Sequence, residues 1–170
     1  MNIVLRQCML REWRWQDKIS LIENANNINV ARMVRNRFPY PYDAEAADDW
    51  LSQVTTDKVQ TDFAIIVDNK AVGAIAFESE GDIFYRSAEI GYWLGEDYWG
   101  RGIMTEAVQA VTSYAFQNFD LCRLWAGVFS NNPSSARILE KNGYEFEGRL
   151  KKNITKFGQT LDQLIFAKVI

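Results

Sequence analysis

The chain has 170 residues, 48% hydrophobic, 14% aromatic and 24% charged, which is enough apolar material to pack one domain over 1–170 without disulfides. A formal net charge of −3 with a pI near 5.1 argues against nucleic acid as a partner and mildly favours a cationic one. Histidine is absent and cysteine occurs only at Cys8 and Cys122, so a Cys/His nucleophile is excluded, a four-ligand zinc site cannot be filled, and no metal is expected.

The spacing of apolar residues predicts a strand over 3–12, helical material over 16–36, and a short acidic helix over 43–54. A hairpin follows, with strands at 63–67 and 71–79 and Asp68-Asn69-Lys70 at the turn. Then come a strand over 86–94, a helix over 101–118, a strand over 122–130, a helix over 133–142, and a final strand pair near 144–152 and 161–169. This order implies a mixed α/β layer with its sheet centred on the strand that carries Glu89. There is no internal repeat, and three prolines leave no room for a Pro-rich spacer. Two distant cysteines, no apolar leader at the N-terminus and no long apolar run point to a cytoplasmic chain without membrane contact.

Two segments carry chemistry. In the first, Glu89-Ile90-Gly91-Tyr92-Trp93-Leu94 runs as a strand into Tyr98-Trp99-Gly100-Arg101-Gly102 and then directly into a helix. Glycines at 100 and 102 let a ligand approach the backbone, and the helix offers its unpaired first N–H groups and the positive end of its dipole. That is an anion-binding geometry suited to a phosphate or pyrophosphate. Tight turns also prefer glycine, so the segment alone leaves both readings open. Thr105 stands where a dinucleotide fingerprint needs its third glycine, and no phosphate loop ending Gly-Lys-Ser/Thr exists. Alternation places Glu89 on one strand face with Gly91 and Trp93, and Ala88, Ile90, Tyr92 and Leu94 on the other. The second segment, Asn131 to Tyr144, has Asn132 as a helix N-cap, Pro133 at the first helical position and Gly143 as the stop. Each of these residues has a structural role available as well as a ligand role.

The two segments together resemble the GNAT superfamily of acyl-CoA N-acyltransferases, and within it the RimJ/RimL-type branch, whose known members include acetyltransferases of ribosomal-protein N-termini. The Leu5-Arg6 start, the Pro39-Tyr40-Pro41-Tyr42 segment and the stretch from Lys156-Phe157-Gly158 to Asp162 share the resemblance, which covers almost the whole chain. It implies a mostly antiparallel central sheet of six to seven strands flanked by helices, with acetyl-CoA as cosubstrate. The pyrophosphate would lie on backbone N–H groups of Gly100, Arg101, Gly102, Ile103, Met104 and Thr105. Pantetheine would run beside Tyr92, Trp93 and Leu94 and pass the helix that Asn131, Asn132 and Ser135 open. Arg101 would add a charge-assisted phosphate contact, or else be a solvated arginine.

The resemblance also implies losses. Leu139 occupies the position at which many superfamily members carry a thiolate-protonating tyrosine, and Ile154 falls where the branch's proposed basic glutamate would lie. Ser135 is then the nearest candidate to serve the leaving thiolate. Glu89, on the strand at which several members keep a catalytic glutamate, is the candidate general base, against the alternative of a merely paired carboxylate. Phe38, Tyr40, Tyr42 and Trp50 are candidates to line an acceptor pocket, with core packing as the competing account. The leading expectation is a peptide N-terminal acetyltransferase, with a ribosomal or other protein as acceptor. The alternatives are a polyamine or aminoglycoside acetyltransferase and a non-catalytic CoA-binding regulatory module. The resemblance leaves room for a homodimer.

Overall fold

The structure is a computed structural model and describes residues 2–56 and 59–170. Its elements in chain order are β1 (Ile3–Val4), β2 (Met9–Arg11), α1 (Lys18–Ala25), α2 (Ile28–Ala31), α3 (Ala44–Val54), β3 (Asp62–Val67), β4 (Lys70–Ser79), β5 (Ser87–Leu94), α4 (Ile103–Asn118), β6 (Arg123–Phe129), α5 (Pro133–Lys141), β7 (Glu145–Lys156) and β8 (Gln159–Val169). The strands form an 8-stranded sheet in the order β1-β2-β3-β4-β5-β6-β8-β7, mostly antiparallel, so the fold class expected from the sequence holds. The eighth strand arises because the strand expected over 3–12 folds back on itself, pairing Ile3 with Leu10 and Val4 with Met9. Helical material over 16–36 is likewise divided, into a 3-10 turn at Trp15–Asp17 and the two helices α1 and α2.

Contacts divide the chain into two compact units, Met1–Ala76 with Tyr92–Ala107, and Phe77–Gly91 with Val108–Ile170. In the first unit, β2 pairs antiparallel with β3 and β3 with β4. Asp68 and Asn69 close the β3/β4 hairpin with φ of 48° and 62°, the two left-handed residues that a type I′ turn demands. The core of this unit gathers Trp13, Leu21, Tyr42, Ala47, Leu51, Ala64 and Ile66, with Phe38, Trp50 and Trp93 packed against it. Trp13 meets Trp50 edge to face, and Phe38 lies 4.9 Å from Tyr42 and 5.2 Å from Trp93 between ring centroids. Core packing therefore accounts for Phe38, Tyr42 and Trp50, while Tyr40 is 46% exposed. Burial pushes the Tyr42 phenol up to about 12. Asp43 caps α3 by accepting from the Ala46 N–H. A buried ion pair braces the entry to α1, Arg11 donating from Nη1 and Nη2 to Asp17 at 2.7 Å each.

In the second unit β5 and β6 pair in parallel, and β8 inserts between β6 and β7, antiparallel to both. Val108, Val111, Ala115, Leu124, Ala126, Val128, Leu139 and Phe166 are buried. Phe77 stacks edge-on to Tyr114 and Phe119. Tyr144 is buried against Thr112, hydroxyl to hydroxyl at 2.8 Å, and burial raises its phenol to about 12. The β7/β8 hairpin carries a register shift between Leu150 and Ile154, held where Asp162 accepts from the Lys152 N–H at 2.8 Å and from Arg149 Nε at 2.6 Å.

Among the described residues no helix is long and apolar enough to cross a membrane, and no group of three or more His, Cys, Asp or Glu is placed to hold a metal ion.

Candidate functional site

The turn after β5 is built for a backbone that presents N–H groups. Gly100 and Gly102 have φ of 73° and 81°, left-handed values that a side chain rarely adopts, on either side of Arg101. Alternation of this kind in a turn curls successive N–H groups toward one concave side. The 16-residue α4 begins immediately after, at Ile103. The Glu106 N–H already donates to the Gly102 carbonyl, so the helical hydrogen-bond ladder starts there and the N–H groups of Ile103 and Met104 precede it. A helix start of this kind offers hydrogen-bond donors and a positive dipole end, a setting that can hold an anion.

Neighbouring residues hold this turn in shape. Trp99 Nε1 donates to the Leu94 carbonyl at 2.7 Å, closing the loop between them. A 3-10 turn at Glu96–Tyr98 is anchored by its own carboxylate: Glu96 accepts from Asn27 Nδ2 at 2.7 Å and from Asn29 Nδ2 at 3.0 Å, which lowers its pKa. Glu106, one turn into α4, accepts from Arg6 Nε and the Gln7 N–H. That carboxylate is thus engaged by the N-terminal hairpin. Arg101 is exposed, with its Nη2 donating to the Asp97 carbonyl at 2.6 Å and its guanidinium 5.2 Å from the Tyr98 ring centroid. Cys8 is buried and its thiol is raised to about 11, first by desolvation and then by the Glu106 charge, so it is a poor nucleophile.

On β5, Ala88, Ile90 and Leu94 of the expected inner face are buried while Tyr92 of that face is only intermediate; opposite them Gly91 is exposed, Glu89 and Trp93 are intermediate and Ser87 is buried. The parallel register with β6 pairs Ser87 with Arg123, Ala88 with Leu124 and Glu89 with Trp125, and goes no further. Trp125 is the residue that sequence reasoning overlooked: its indole shares a face with Glu89 because residues matched across a ladder point the same way. Only the register between strands thirty-odd positions apart reveals it.

On α5, Asn132 caps the helix by accepting from the Ser135 N–H at 3.2 Å, with Pro133 at the first helical position and Gly143 at φ 76° beyond the end. Asn131 is exposed and Ser135 half-buried in the first turn. Leu139, where a tyrosine would be sought, is fully buried, and Ile154 faces Leu161 across β7 and β8. Neither supplies a proton. The structure therefore brings Glu89 beside Trp125, and Asn132 onto Ser135, while Gly100 to Thr105 form their own turn at the start of α4.

Known proteins share parts of this sequence and its fold. The chain is 38% identical over 100 residues to the probable N-acetyltransferase YjcK of Bacillus subtilis (strain 168), a match that covers 59% of this chain and 55% of that one. It is 34% identical over 90 residues to the ribosomal-protein-serine acetyltransferase of Escherichia coli (strain K12), covering 53% and 50%. The match thus spans about half the length of these curated relatives. The fold superposes with a TM-score of 0.85, at 21% identity over 99% of this chain and 97% of the other, on a RimL α-N-protein acetyltransferase in complex with coenzyme A. The acetyltransferase (GNAT) domain matches residues 7–145, well over half the chain, and on that match the protein belongs to the GNAT acetyltransferase family.

Proposed function

We propose that this protein transfers the acetyl group of acetyl-CoA directly to a primary amine, and that the acceptor is the α-amine of a protein or peptide N-terminus. The observation that carries the transferase reading is the double left-handed glycine turn opening α4, reached by the strand that bears Glu89 eleven residues earlier. Support for the acceptor comes from the similarity to a ribosomal-protein-serine acetyltransferase.

In this reading the backbone of Gly100 to Thr105 holds the pyrophosphate, Arg101 adds a charge-assisted contact to a phosphate oxygen, and Tyr92, Trp93 and Leu94 run beside the pantetheine. When bound, acetyl-CoA supplies the activated acetyl thioester. Glu89 removes a proton from the acceptor ammonium, directly or through water, so that the nitrogen lone pair is free. An α-amine with a pKa near ~8 needs only a modest base for this, whereas an alkyl amine near ~10 needs more. A backbone N–H of β5 near Trp93 or Leu94 supports the charge that grows on the carbonyl oxygen. Trp125 beside Glu89 limits water around the carboxylate. Ser135 is the hydroxyl assigned to the departing sulfur, since the buried Leu139 has no proton to give and the Tyr144 hydroxyl is committed to Thr112.

Calorimetry with acetyl-CoA followed by titration of an N-terminal peptide library into the complex, with thiol release as the readout, tests both parts. Peptide-dependent release supports the proposal. Release only with polyamines or aminoglycosides replaces the acceptor, and tight binding with no release from any amine converts the reading to a CoA-binding regulatory module.

A further inference from the structure

We infer that the side-chain amides of Gln163 and Asn153 form a recognition pair for a backbone carbonyl of the acceptor, close to its reacting amine, and so set the enzyme's preference for peptides. This rests on the proposed function and names the residues that would read its substrate class.

The register fixes which residues share a face. Glu89 is matched with Trp125, Trp125 with Ala167, Gly127 with Ile165 and Phe129 with Gln163. Matched residues point to the same side, so Glu89, Trp125, Gly127, Phe129 and Gln163 all lie on one face of β5, β6 and β8. Glycine in the middle of a strand weakens it and needs a reason. Here the reason is visible: a Cβ on Gly127 would collide with Gln163 Nε2 and stand 3.1 Å from its Cδ. The amide of Gln163 occupies the space beside Gly127 that only glycine leaves.

Asn153 fixes how that amide is presented. Its Nδ2 donates to Gln163 Oε1 at 2.6 Å, which satisfies the oxygen and leaves the Nε2 hydrogens for another acceptor. Asn153 can do so because it lies in the register shift between Leu150 and Ile154, beside Lys152 with φ 52°, and the Asp162 carboxylate clamps that bulge from the residue next to Gln163. The bulge thus aims an amide rather than merely interrupting a ladder.

Space and distance then select the ligand. The pairing of β5 with β6 ends at Glu89 and Trp125, and at Gly91, two residues on, the backbone is exposed and an added Cβ would meet nothing within 4 Å. Two residues along a strand and one strand across separate Glu89 from Gly127 by roughly 8 Å between Cα atoms. A chain whose amine reaches the Glu89 carboxylate and which extends at about 3.3–3.6 Å per residue brings a carbonyl of its first or second residue to the Gln163 amide. A polyamine offers no acceptor there; its own ammonium groups would face N–H donors.

The test compares the parent with Gln163→Leu, which keeps the bulk and removes the amide, and with Gly127→Ala, which pushes the amide from its seat while Gln163 remains. Steady-state kinetics use the peptide Ser-Ala-Ala-Ala-amide and spermidine as acceptors, with acetyl-CoA affinity measured separately. In both variants KM for the peptide rises about fivefold, as expected for one lost hydrogen bond, with kcat, spermidine kinetics and acetyl-CoA affinity within twofold of the parent. An unchanged peptide KM in Gln163→Leu, or an equal rise for spermidine, overturns the inference. A parent that acetylates spermidine and no peptide overturns the proposed acceptor and this inference with it, whereas a parent active on the peptide with an indifferent Gln163 overturns the inference alone.

Discussion

Gly100 offers a clean electrostatic test of the anion turn, through the paired substitutions Gly100→Asn and Gly100→Asp. Its φ is 73° and a Cβ there would meet nothing within 4 Å, so both side chains enter open space. Asn and Asp are the side chains that tolerate left-handed backbone best, and their common cost relative to glycine is roughly 1 kcal/mol of stability. They are nearly isosteric and differ by one charge. A carboxylate about 4 Å from one phosphate charge costs about 1 kcal/mol in bulk water and about 4 kcal/mol at an effective dielectric near 20. The turn is exposed and the pyrophosphate carries more than one charge, so the Asp variant should bind acetyl-CoA about 1–3 kcal/mol more weakly than the Asn variant, roughly 5- to 150-fold in Kd. Gly102 is a poorer choice, because a Cβ there lies 3.2 Å from Gln7 Nε2 and packing would mix with charge. Calorimetry at 0.1 M and 1 M salt is the assay, since the Debye length shrinks from about 10 Å to about 3 Å and the Asp–Asn gap must close with it. Equal affinities for the two variants at low salt, with both folded by thermal melting, would refute the pyrophosphate assignment.

Three further outcomes are expected. Glu89→Gln should lower kcat by roughly 100-fold near neutral pH without changing acetyl-CoA affinity, and the deficit should shrink as pH approaches the amine's own pKa; a pH–rate profile parallel to the parent's removes Glu89 as the base. Asp17→Ala strands the Arg11 guanidinium, whose residue is 5% exposed, and should cost about 3–5 kcal/mol in urea denaturation; a loss below about 1 kcal/mol would show the buried pair to be dispensable. The Asp162 carboxylate is held below the usual carboxylate range, first by the Lys152 N–H and then by Arg149. Because its folded pKa lies under the unfolded value near ~4, its stabilisation is complete above that value and is lost as pH falls through the depressed one. Melting temperatures of Asp162→Asn and the parent should therefore converge as pH drops from about 5 to about 2, and a constant gap would assign the β7 bulge to something other than this carboxylate.

How much was legible in the chain depends on the range of the interaction. Asp43 and Asn132 announce α3 and α5, Gly143 and Gly102 mark a helix stop and a helix start, and Asp68-Asn69 specify their hairpin turn, because capping and left-handed preference act within three or four residues. The strand bearing Glu89 and the helix after Gly102 were readable from alternation and from three- and four-residue spacing, and with them the anion turn. The reversal of β1 on β2 was not, since a two-residue strand leaves no period to detect. Nor was the burial of Arg11 on Asp17, the insertion of β8 between β6 and β7, or the meeting of Trp125 with Glu89 and of Gln163 with Gly127. Arg11 and Asp17 are six residues apart but on different elements, and the strand pairings join residues far apart in sequence, where a one-residue slip would turn each side chain to the opposite face. The sequence by itself determined the local punctuation and the likeness of the anion turn to its family; only the tertiary register, set by which apolar faces are buried together, decided what stands beside Glu89.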